Sequence, residues 1–174
     1  EVCGNLGRPV LELAPVDAGG TYVVEMSSFQ LELTFSIAFD VAVLLNISAD
    51  HLERHGGMGG YLKAKKRIFH RQTAPGAAVV GIDDDHSLAI HEELKAKGEQ
   101  VVIPISSQGP VHGGVYAEDG MLIDAIGGPA KPVIDLKSLS TLAGGHNWQN
   151  AAAAYAAARM AGVDAAAMRD GLES

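Results

Sequence analysis

The stretch that decides the fold is residues 22–33, which read Tyr-Val-Val-Glu-Met-Ser-Ser-Phe-Gln-Leu-Glu-Leu. Residues 21–24 form a short apolar, β-branched run, and this pattern predicts a strand that is buried on both faces. The run ends at a carboxylate, Glu25, after which Ser27 and Gln30 predict a capping box at the start of a helix. A charged side chain is therefore expected where a buried strand ends, which is where ligands bind in open α/β sheets.

Strand and helix patterns alternate along the rest of the chain, and this alternation predicts an α/β fold with a mostly parallel, doubly wound sheet and flanking helices. After residue 110 the alternation ends, and the turn signal Glu118-Asp119-Gly120 predicts a small antiparallel sheet beside the main one, within residues 111–142. The predicted strands are residues 21–25, 41–47, 77–82 and 100–105 in the main sheet, and 115–117, 121–123 and 133–136 in the small one. The predicted helices are residues 9–13, 28–34, 61–72, 86–97 and 148–161, with one more after Asp164. Residues 56–60, with four glycines, are expected to form a flexible loop.

Composition limits the class of protein. A chain of 174 residues that is 47% hydrophobic suits one globular domain, and we see no linker that divides it. A net charge of −8 argues against general nucleic-acid binding. The single cysteine, Cys3, allows no internal disulfide and fits a reducing compartment such as the cytoplasm. No apolar stretch is long enough to span a membrane. The chain starts without Met, so we expect a piece of a longer protein.

Three predicted parallel strands are followed by polar side chains, which are Glu25, His51 and the cluster Asp83, Asp84 and Asp85. The carboxyl ends of parallel strands should meet at one edge of the sheet. A carboxylate with a histidine there would suit Mg²⁺ or Mn²⁺. The alternatives are a solvated glutamate at a strand end and a hydrogen-bonded structural histidine.

Lys65 occupies an unusual position on the helix predicted over residues 61–72. At about 100° per residue, it falls inside the apolar stripe of that helix, whereas the other basic residues share the solvent face. A buried ammonium is costly, so such a lysine is usually paired, neutral or modified, and a neutral amine can react with CO₂ to give a carbamate that binds a metal. The alternative is a lysine that extends along the apolar surface to reach solvent. The apolar stripe consists of Tyr61, Ala64, Ile68 and Phe69, and the solvent face carries Lys63, Lys66 and Arg67.

Five segments, in order along essentially the whole chain, resemble the central domain of the Mur ligases. They are residues 4–7 (Gly-Asn-Leu-Gly), 25–32 (Glu-Met-Ser-Ser-Phe-Gln-Leu-Glu), 45–55 (Leu-Asn-Ile-Ser-Ala-Asp-His-Leu-Glu-Arg-His), 61–69 (Tyr-Leu-Lys-Ala-Lys-Lys-Arg-Ile-Phe) and 145–151 (Gly-His-Asn-Trp-Gln-Asn-Ala). Within the family, Ser-Ser-Phe-Gln-Leu-Glu is most similar to the members that add D-glutamate.

The resemblance implies an ATP-dependent amide ligase of peptidoglycan synthesis. In that family ATP phosphorylates the carboxylate of UDP-N-acetylmuramoyl-L-alanine, the amine of D-glutamate attacks the acyl phosphate, and phosphate leaves. A cytoplasmic, monomeric parent enzyme with no nucleic-acid or membrane partner is expected. Two alternatives remain: a sister ligase that adds diaminopimelate, lysine or folate-linked glutamate, and a non-catalytic nucleotide-binding or scaffolding module.

The resemblance also implies roles for individual residues. Glu25 matches the family's Mg²⁺ ligand beside the β- and γ-phosphates, and His51 matches the ligand of a second Mg²⁺ near the acyl phosphate. Lys65 matches the carbamylated lysine that supports this second metal. The positions expected near the sugar-nucleotide substrate and the reacting groups are Asn5, Ser27 and Ser28. The positions expected near ATP are Asn147 and Asn150, for which the alternatives are helix capping and packing respectively.

This chain departs from the family pattern in two places. Gly81-Ile82 precedes Asp83 and Asp84 where the family often has Asn-Ala, so these aspartates are also candidates for simple helix capping. No Gly-x-x-Gly-Lys-[Ser/Thr] phosphate loop is present, and we expect it upstream of residue 1, together with an N-terminal UDP-binding domain; a C-terminal domain is expected downstream. The chain alone is therefore predicted to have no ligase activity, to bind ATP weakly, and to be marginally stable or to associate through exposed strand edges.

Overall fold

The computed structural model describes residues 1–142 and 144–174, with the side chain of residue 140 left out. The chain divides into two compact units. The small unit comprises residues 1–37 and 49–67, and the large unit comprises residues 38–48 and 68–174. None of the helices in the described ranges is long and apolar enough to cross a membrane.

The large unit is built on one six-stranded sheet whose strands follow chain order. The first four strands are parallel to one another, and the last two continue the same sheet in antiparallel register. The strands are β3 (Val41–Leu44), β4 (Ala77–Gly81), β5 (Val101–Ser106), β6 (Val115–Glu118), β7 (Met121–Asp124) and β8 (Lys131–Asp135). The α/β fold with a mostly parallel sheet is confirmed. The antiparallel strands were expected to form a separate small sheet, but they continue the main sheet as its edge because β6 pairs with both β5 and β7.

Three helices belong to the large unit: α4 (Asp85–Lys97), α5 (Gly145–Met160) and α6 (Ala165–Glu173). Both α4 and α5 contact β4, which is why all five residues of that strand are buried. The alanine-rich α5 presents small side chains to the sheet, so helix and sheet pack closely. The main core therefore lies between this sheet and α5.

Local sequence signals set several boundaries in the large unit as predicted. The Asp84 side chain accepts a hydrogen bond from the backbone N–H of Ser87 and begins α4, and Gly98 ends it in the left-handed conformation. Asp119 and Gly120 both have positive φ, which a two-residue hairpin between β6 and β7 requires. Asp164 caps α6 through two backbone N–H groups.

The small unit holds a two-stranded parallel sheet, three short helices and a 3-10 turn at Val10–Glu12. A second 3-10 turn, Arg67–Phe69, follows the last of these helices. The strands are β1 (Val2–Gly4) and β2 (Val23–Glu25), and the helices are α1 (Ser28–Glu32), α2 (Leu52–His55) and α3 (Met58–Lys66). Arg67 connects α3 to α1 by donating hydrogen bonds to the carbonyl oxygens of Leu31 and Thr34.

Several expectations were wrong in this unit. The strand predicted to be buried on both faces is mostly exposed, with Val23 58% exposed, because β2 pairs with β1 alone. Strand β1 was not predicted at all. The glycine-rich loop is shorter than expected because Gly59 and Gly60 lie in the first turn of α3. The helix expected over residues 9–13 is only a 3-10 turn, and Arg67 is not a purely solvent-facing residue.

Candidate active site

Glu25 lies at the end of β2 with an exposed side chain, and the adjacent turn after β1 brings Asn5 beside it. The backbone N–H of Asn5 donates to the carbonyl oxygen of Glu25 at 2.8 Å. Gly4 has a φ of 124°, and a Cβ there would lie 2.0 Å from the same carbonyl oxygen. Glycine is therefore required where the two strand ends meet. Two of the predicted site residues are thus placed together by the backbone.

The start of α1 is fixed by the capping box that the sequence predicted. The Gln30 N–H donates to the Ser27 hydroxyl at 3.3 Å, and the Ser27 N–H donates to the Gln30 side-chain oxygen at 3.0 Å. Ser28, the first residue of the helix, is buried, and its hydroxyl lies 3.0 Å from Nε2 of His55. The segment that follows Glu25 is therefore held both by its own cap and by α2.

His51 is the residue that precedes α2, and it has a left-handed backbone conformation with φ 49°. A non-glycine residue seldom adopts this conformation, and such residues concentrate at functional sites. Its ring is about half exposed, Nε2 lies 3.3 Å from Oδ2 of Asp50, and the ring centroid lies 5.0 Å from that of Phe29. The imidazole is therefore accessible to a ligand, with a carboxylate beside it.

Lys65 lies on α3 where the helical pattern placed it, next to the buried Tyr61 and Ala64. Its side chain is half-buried, and Nζ lies 5.8 Å from the centroid of the Tyr61 ring. Burial, and to a smaller extent the charge of Asp50, raises the pKa of Tyr61 above its ordinary value. Partial exposure is what the alternative of a lysine reaching solvent requires, and the same exposure gives CO₂ access to the amine.

The candidate metal donors of the small unit are one carboxylate and one imidazole. In the described residues no three His, Cys, Asp or Glu side chains come together as a metal-binding group. Mg²⁺ usually keeps several waters and is held through one or two carboxylates and substrate phosphates rather than by an all-protein cage. The exposed carboxylate of Glu25 is a donor of this kind, and the accessible imidazole of His51 is a nitrogen donor that Mn²⁺ tolerates better than Mg²⁺ does.

The aspartates after β4 have different partners. Asp84 caps α4 and accepts from the Ile47 N–H at 3.2 Å, so the capping alternative is correct for this residue. The Asp83 carboxylate instead accepts from the Ser106 hydroxyl, from the N–H and hydroxyl of Ser107, and from Nε2 of Gln149 at 3.1 Å. Asp83 therefore connects β4, the end of β5 and the first turns of α5.

The prediction that Glu25, His51 and these aspartates follow strands of one sheet was wrong. Glu25 ends a strand of the two-stranded sheet in the small unit, whereas Asp83 follows a strand of the six-stranded sheet in the large unit. His51 also belongs to the small unit, although the strand before it, β3, belongs to the large one. The sequence pattern located strand ends correctly but could not show which strands pair.

The two candidate ATP contacts lie near the start of α5. Gly144 is the N-cap residue of the helix, and Asn147 is its third helical residue rather than the cap that the alternative expected. Asn150 is exposed, so the packing alternative is wrong as well. Between them, the buried Gln149 accepts from Nδ2 of Asn46 at 3.3 Å and donates to Asp83. This network fixes the first turns of the helix and leaves Asn150 facing solvent.

Sequence reasoning missed two residues that organise these regions, His55 and Gln149. His55 follows His51 by four residues, a spacing that places two side chains on one face of a helix, and this was the available signal. Gln149 carried no such signal, because its partners Asn46 and Asp83 are distant in sequence.

Comparison with known proteins identifies the family. The family model of the Mur ligase middle domain matches residues 10–158. The chain therefore belongs to the Mur ligase middle-domain family.

Relatives and solved structures agree with this assignment. The chain is 54% identical over 165 residues to the UDP-N-acetylmuramoylalanine–D-glutamate ligase of Rhodospirillum rubrum, covering 95% of the chain and 35% of the relative. For the ligase of the same name from Phenylobacterium zucineum the identity is 50% over 160 residues, with coverage of 92% and 34%. The chain thus spans about a third of the length of these relatives.

Two solved structures share the fold. A crystal structure of MurF from Acinetobacter baumannii superposes with a TM-score of 0.61 at 25% identity, covering 88% of this chain and 34% of that one. A structure of UDP-N-acetylmuramoyl-L-alanyl-D-glutamate–2,6-diaminopimelate ligase gives a TM-score of 0.65 at 26% identity, covering 87% and 32%.

Proposed function

We propose that the full-length protein is an ATP-dependent ligase that adds D-glutamate to UDP-N-acetylmuramoyl-L-alanine in peptidoglycan synthesis. The observation that carries this proposal is the 54% identity, across 95% of the chain, to a relative named for D-glutamate ligation. The Ser-Ser-Phe-Gln stretch, with its capping box intact, supports the same specificity. On this proposal the 174-residue chain is part of the ATP-binding domain.

The reaction needs an activated carboxylate, because a carboxylate itself is a poor electrophile. The L-alanine carboxylate takes the γ-phosphoryl group of ATP and becomes an acyl phosphate. The D-glutamate nitrogen then bonds to the carbonyl carbon, loses a proton, and phosphate leaves with the electrons of the broken C–O bond. Several anions are crowded together in this sequence, so the site must supply positive charge and hydrogen-bond donors.

Residues of the small unit would act on the reacting groups. Glu25 and His51 would hold Mg²⁺ or Mn²⁺, which offsets phosphate charge when bound. Lys65, as a carbamate, would support the second ion. Asn5 and the pair Ser27 and Ser28 would contact the sugar-nucleotide substrate near the reacting carboxylate. Their support is that Asn5 lies against Glu25 and that the serines open the helix directly after it.

Residues of the large unit would bind the nucleotide. Asn147 and Asn150 would contact the ATP phosphates and adenine from the first turns of α5, where exposed N–H groups and the helix dipole favour anions. The support is the exposed position of Asn150 and the network of Gln149 and Asp83 that holds these turns. We further propose a cytoplasmic, monomeric enzyme without nucleic-acid or membrane partners.

The test is phosphate release by the full-length protein with ATP, Mg²⁺ and UDP-N-acetylmuramoyl-L-alanine, with one amino acid added at a time. Release that depends on D-glutamate is the expected result. Release with diaminopimelate or lysine instead would contradict the substrate proposal and indicate a sister ligase. No release with any amino acid would contradict the enzyme proposal and favour a non-catalytic nucleotide-binding module.

The role of Lys65 has its own matched control on the same helix. Lys65→Ala is expected to lower the rate by about two orders of magnitude, while the exposed Lys63→Ala leaves it unchanged. Added acetate or bicarbonate should restore part of the rate in Lys65→Ala only if a carboxylate-like group acts at this position. Equal rates for both variants would contradict the carbamate. The 174-residue chain alone is expected to release no phosphate.

A further inference from the structure

We propose that His55 is a positioning residue that aligns the helix following Glu25 with the helices that carry His51 and Lys65. This inference rests on the proposed function, because the geometry it protects is that of the metal and substrate ligands. Neither the spacing of the strands nor the family resemblance assigned any role to His55. Its contacts within the small unit carry the inference.

The first contact is with α1. Nε2 of His55 lies 3.0 Å from the hydroxyl of Ser28, the first residue of that helix. Ser28 is only 3% exposed, so its hydroxyl depends on protein partners more than on water. Ser28 is three residues from Glu25, so this hydrogen bond fixes the segment that carries the candidate metal-binding carboxylate.

The second set of contacts is aromatic. The His55 ring is stacked on Phe29 with a centroid distance of 5.5 Å and an interplanar angle of 16°, and it lies 5.6 Å from the ring of Tyr61. Phe29 also lies 5.0 Å from the His51 ring, and Tyr61 lies under Nζ of Lys65. His55 therefore contacts Phe29, which lies beside His51, and Tyr61, which lies beside Lys65.

The backbone of His55 is held as firmly as its ring. Gly56, which ends α2, has a left-handed conformation with φ 68°, and the chain reverses there into α3. A Cβ on Gly60 would lie 1.8 Å from the carbonyl oxygen of His55, so α3 packs directly against this carbonyl. A side chain anchored in this way can transmit its position to α1 with little freedom to adjust.

The test is the affinity of the full-length protein for Mn²⁺, measured by water-proton relaxation with a non-hydrolysable ATP analogue and without the sugar nucleotide, which Ser28 is proposed to contact. This readout does not need turnover. Four variants are compared with the wild type: His55→Ala, His55→Gln, Ser28→Ala and the double variant His55→Ala/Ser28→Ala. Gln places a nitrogen near the position of Nε2, so it can keep the hydrogen bond to Ser28. His70→Phe, at an exposed histidine of the large unit, is the control.

We expect His55→Ala to weaken Mn²⁺ binding about tenfold and His55→Gln to recover most of it, within about threefold of the wild type. The double variant should bind no more than about twofold more weakly than the weaker single variant, because Ser28→Ala removes only the hydrogen bond that His55→Ala has already removed together with the ring contacts. A variant that is merely less folded would lower the bound fraction without changing the dissociation constant. Melting temperatures are recorded for each variant to separate these effects.

Unchanged affinity in His55→Ala would overturn the proposal, and so would independent, multiplicative losses in the double variant. An equal loss in His55→Gln and His55→Ala would overturn the role of the hydrogen bond to Ser28. Failure of the proposed function is recognised separately, since it would appear as absent phosphate release by the wild type in the assay above. The Mn²⁺ measurement still decides the role of His55 in that case.

Discussion

Strands β2 and β4 have similar sequences and different surroundings. Both are short, β-branched or alanine-rich runs that predict a strand buried on both faces. All five residues of β4 are buried between β3, β5 and the helices α4 and α5. In β2, Val23 is 58% exposed and Glu25 is also exposed, because β1 is its single partner in the described chain.

The difference shows that an apolar strand pattern indicates burial in the whole protein. The same strand can be exposed when only part of that protein is present. Of the thirteen large hydrophobic side chains that are exposed in the described part of the chain, ten lie within residues 1–37 of the small unit. Since the chain spans about a third of its relatives, we propose that the remainder of a longer protein covers them. The segment around Glu25 would then be covered by neighbours outside these 174 residues.

The largest expected effect contrasts a core strand with β2. Ile105→Ala in β5, at a fully buried position, should lower the free energy of unfolding by about 3 kcal/mol through lost burial and the cavity left behind. Val23→Ala should change it by less than about 0.5 kcal/mol. Urea unfolding of the 174-residue chain measures both. Comparable losses of unfolding free energy in the two variants would contradict the difference in burial between β5 and β2.

Two adjacent glycines test whether the helical part of the small unit is tightly packed even though its sheet is exposed. Gly60→Ala should cost about 2 kcal/mol, since its Cβ would meet the carbonyl oxygen of His55. Gly59→Ala in the same helical turn meets nothing within 4 Å and should stabilise the unit by about 0.5 kcal/mol. The readout is the thermal unfolding of the two variants. A change of melting temperature in the same direction for both variants would contradict this account.

Asp83 and Asp84 are adjacent in the large unit, and their substitutions compare a shared hydrogen-bond acceptor with a helix cap. Asp83→Ala should cost about 2 kcal/mol because it leaves buried donors of Ser106 and Gln149 without their shared acceptor. Asp84→Ala removes a helix cap and should cost about 1 kcal/mol. Urea unfolding separates the two. In the full-length protein, Asp83→Ala is also expected to weaken ATP binding more than Asp84→Ala, and the reverse order would count against a link between Asp83 and α5.

The smallest expected effect is the contribution of Tyr155, in the large unit, to the pH dependence of stability. Burial raises the pKa of Tyr155 above its ordinary value of 10.0, and its hydroxyl donates to Asp124. Folding therefore favours the protonated phenol, and this contribution is complete below pH 10.0 and is lost as the pH rises towards the folded-state pKa. Unfolding measured at a series of alkaline pH values should show a shallower loss in Tyr155→Phe than in the wild type. An identical slope would show that another group is responsible.

Local features were predictable from the sequence, and features that depend on distant partners were not. The capping box of Ser27 and Gln30, the turn at Asp119 and Gly120 and the cap at Asp164 each need only a few consecutive residues. By contrast, the exposure of β2 depends on which strands pair. The need for glycine at position 60 depends on the close approach of the His55 carbonyl oxygen, and the role of Asp83 depends on Gln149, 66 residues away.

The candidate site shows the same division. The helical pattern located Lys65 beside a buried tyrosine, and strand ends located Glu25 and the aspartates. Roles for Asn5, Asn147 and Asn150 came from family resemblance alone, since nothing in their spacing indicates a ligand. His55 was missed because its four-residue spacing from His51, the one signal available, does not reveal the contacts with Ser28 and Phe29.

Hydrogen–deuterium exchange, measured on the 174-residue chain and on the full-length protein, tests the central claim most directly. The amides of residues 77–81 should exchange slowly in both proteins, because β4 has its neighbours in each. The amides of residues 21–25 should exchange rapidly in the 174-residue chain and slowly in the full-length protein. Slow exchange of residues 21–25 in the 174-residue chain would contradict the claim that the segment around Glu25 depends on neighbours beyond these 174 residues.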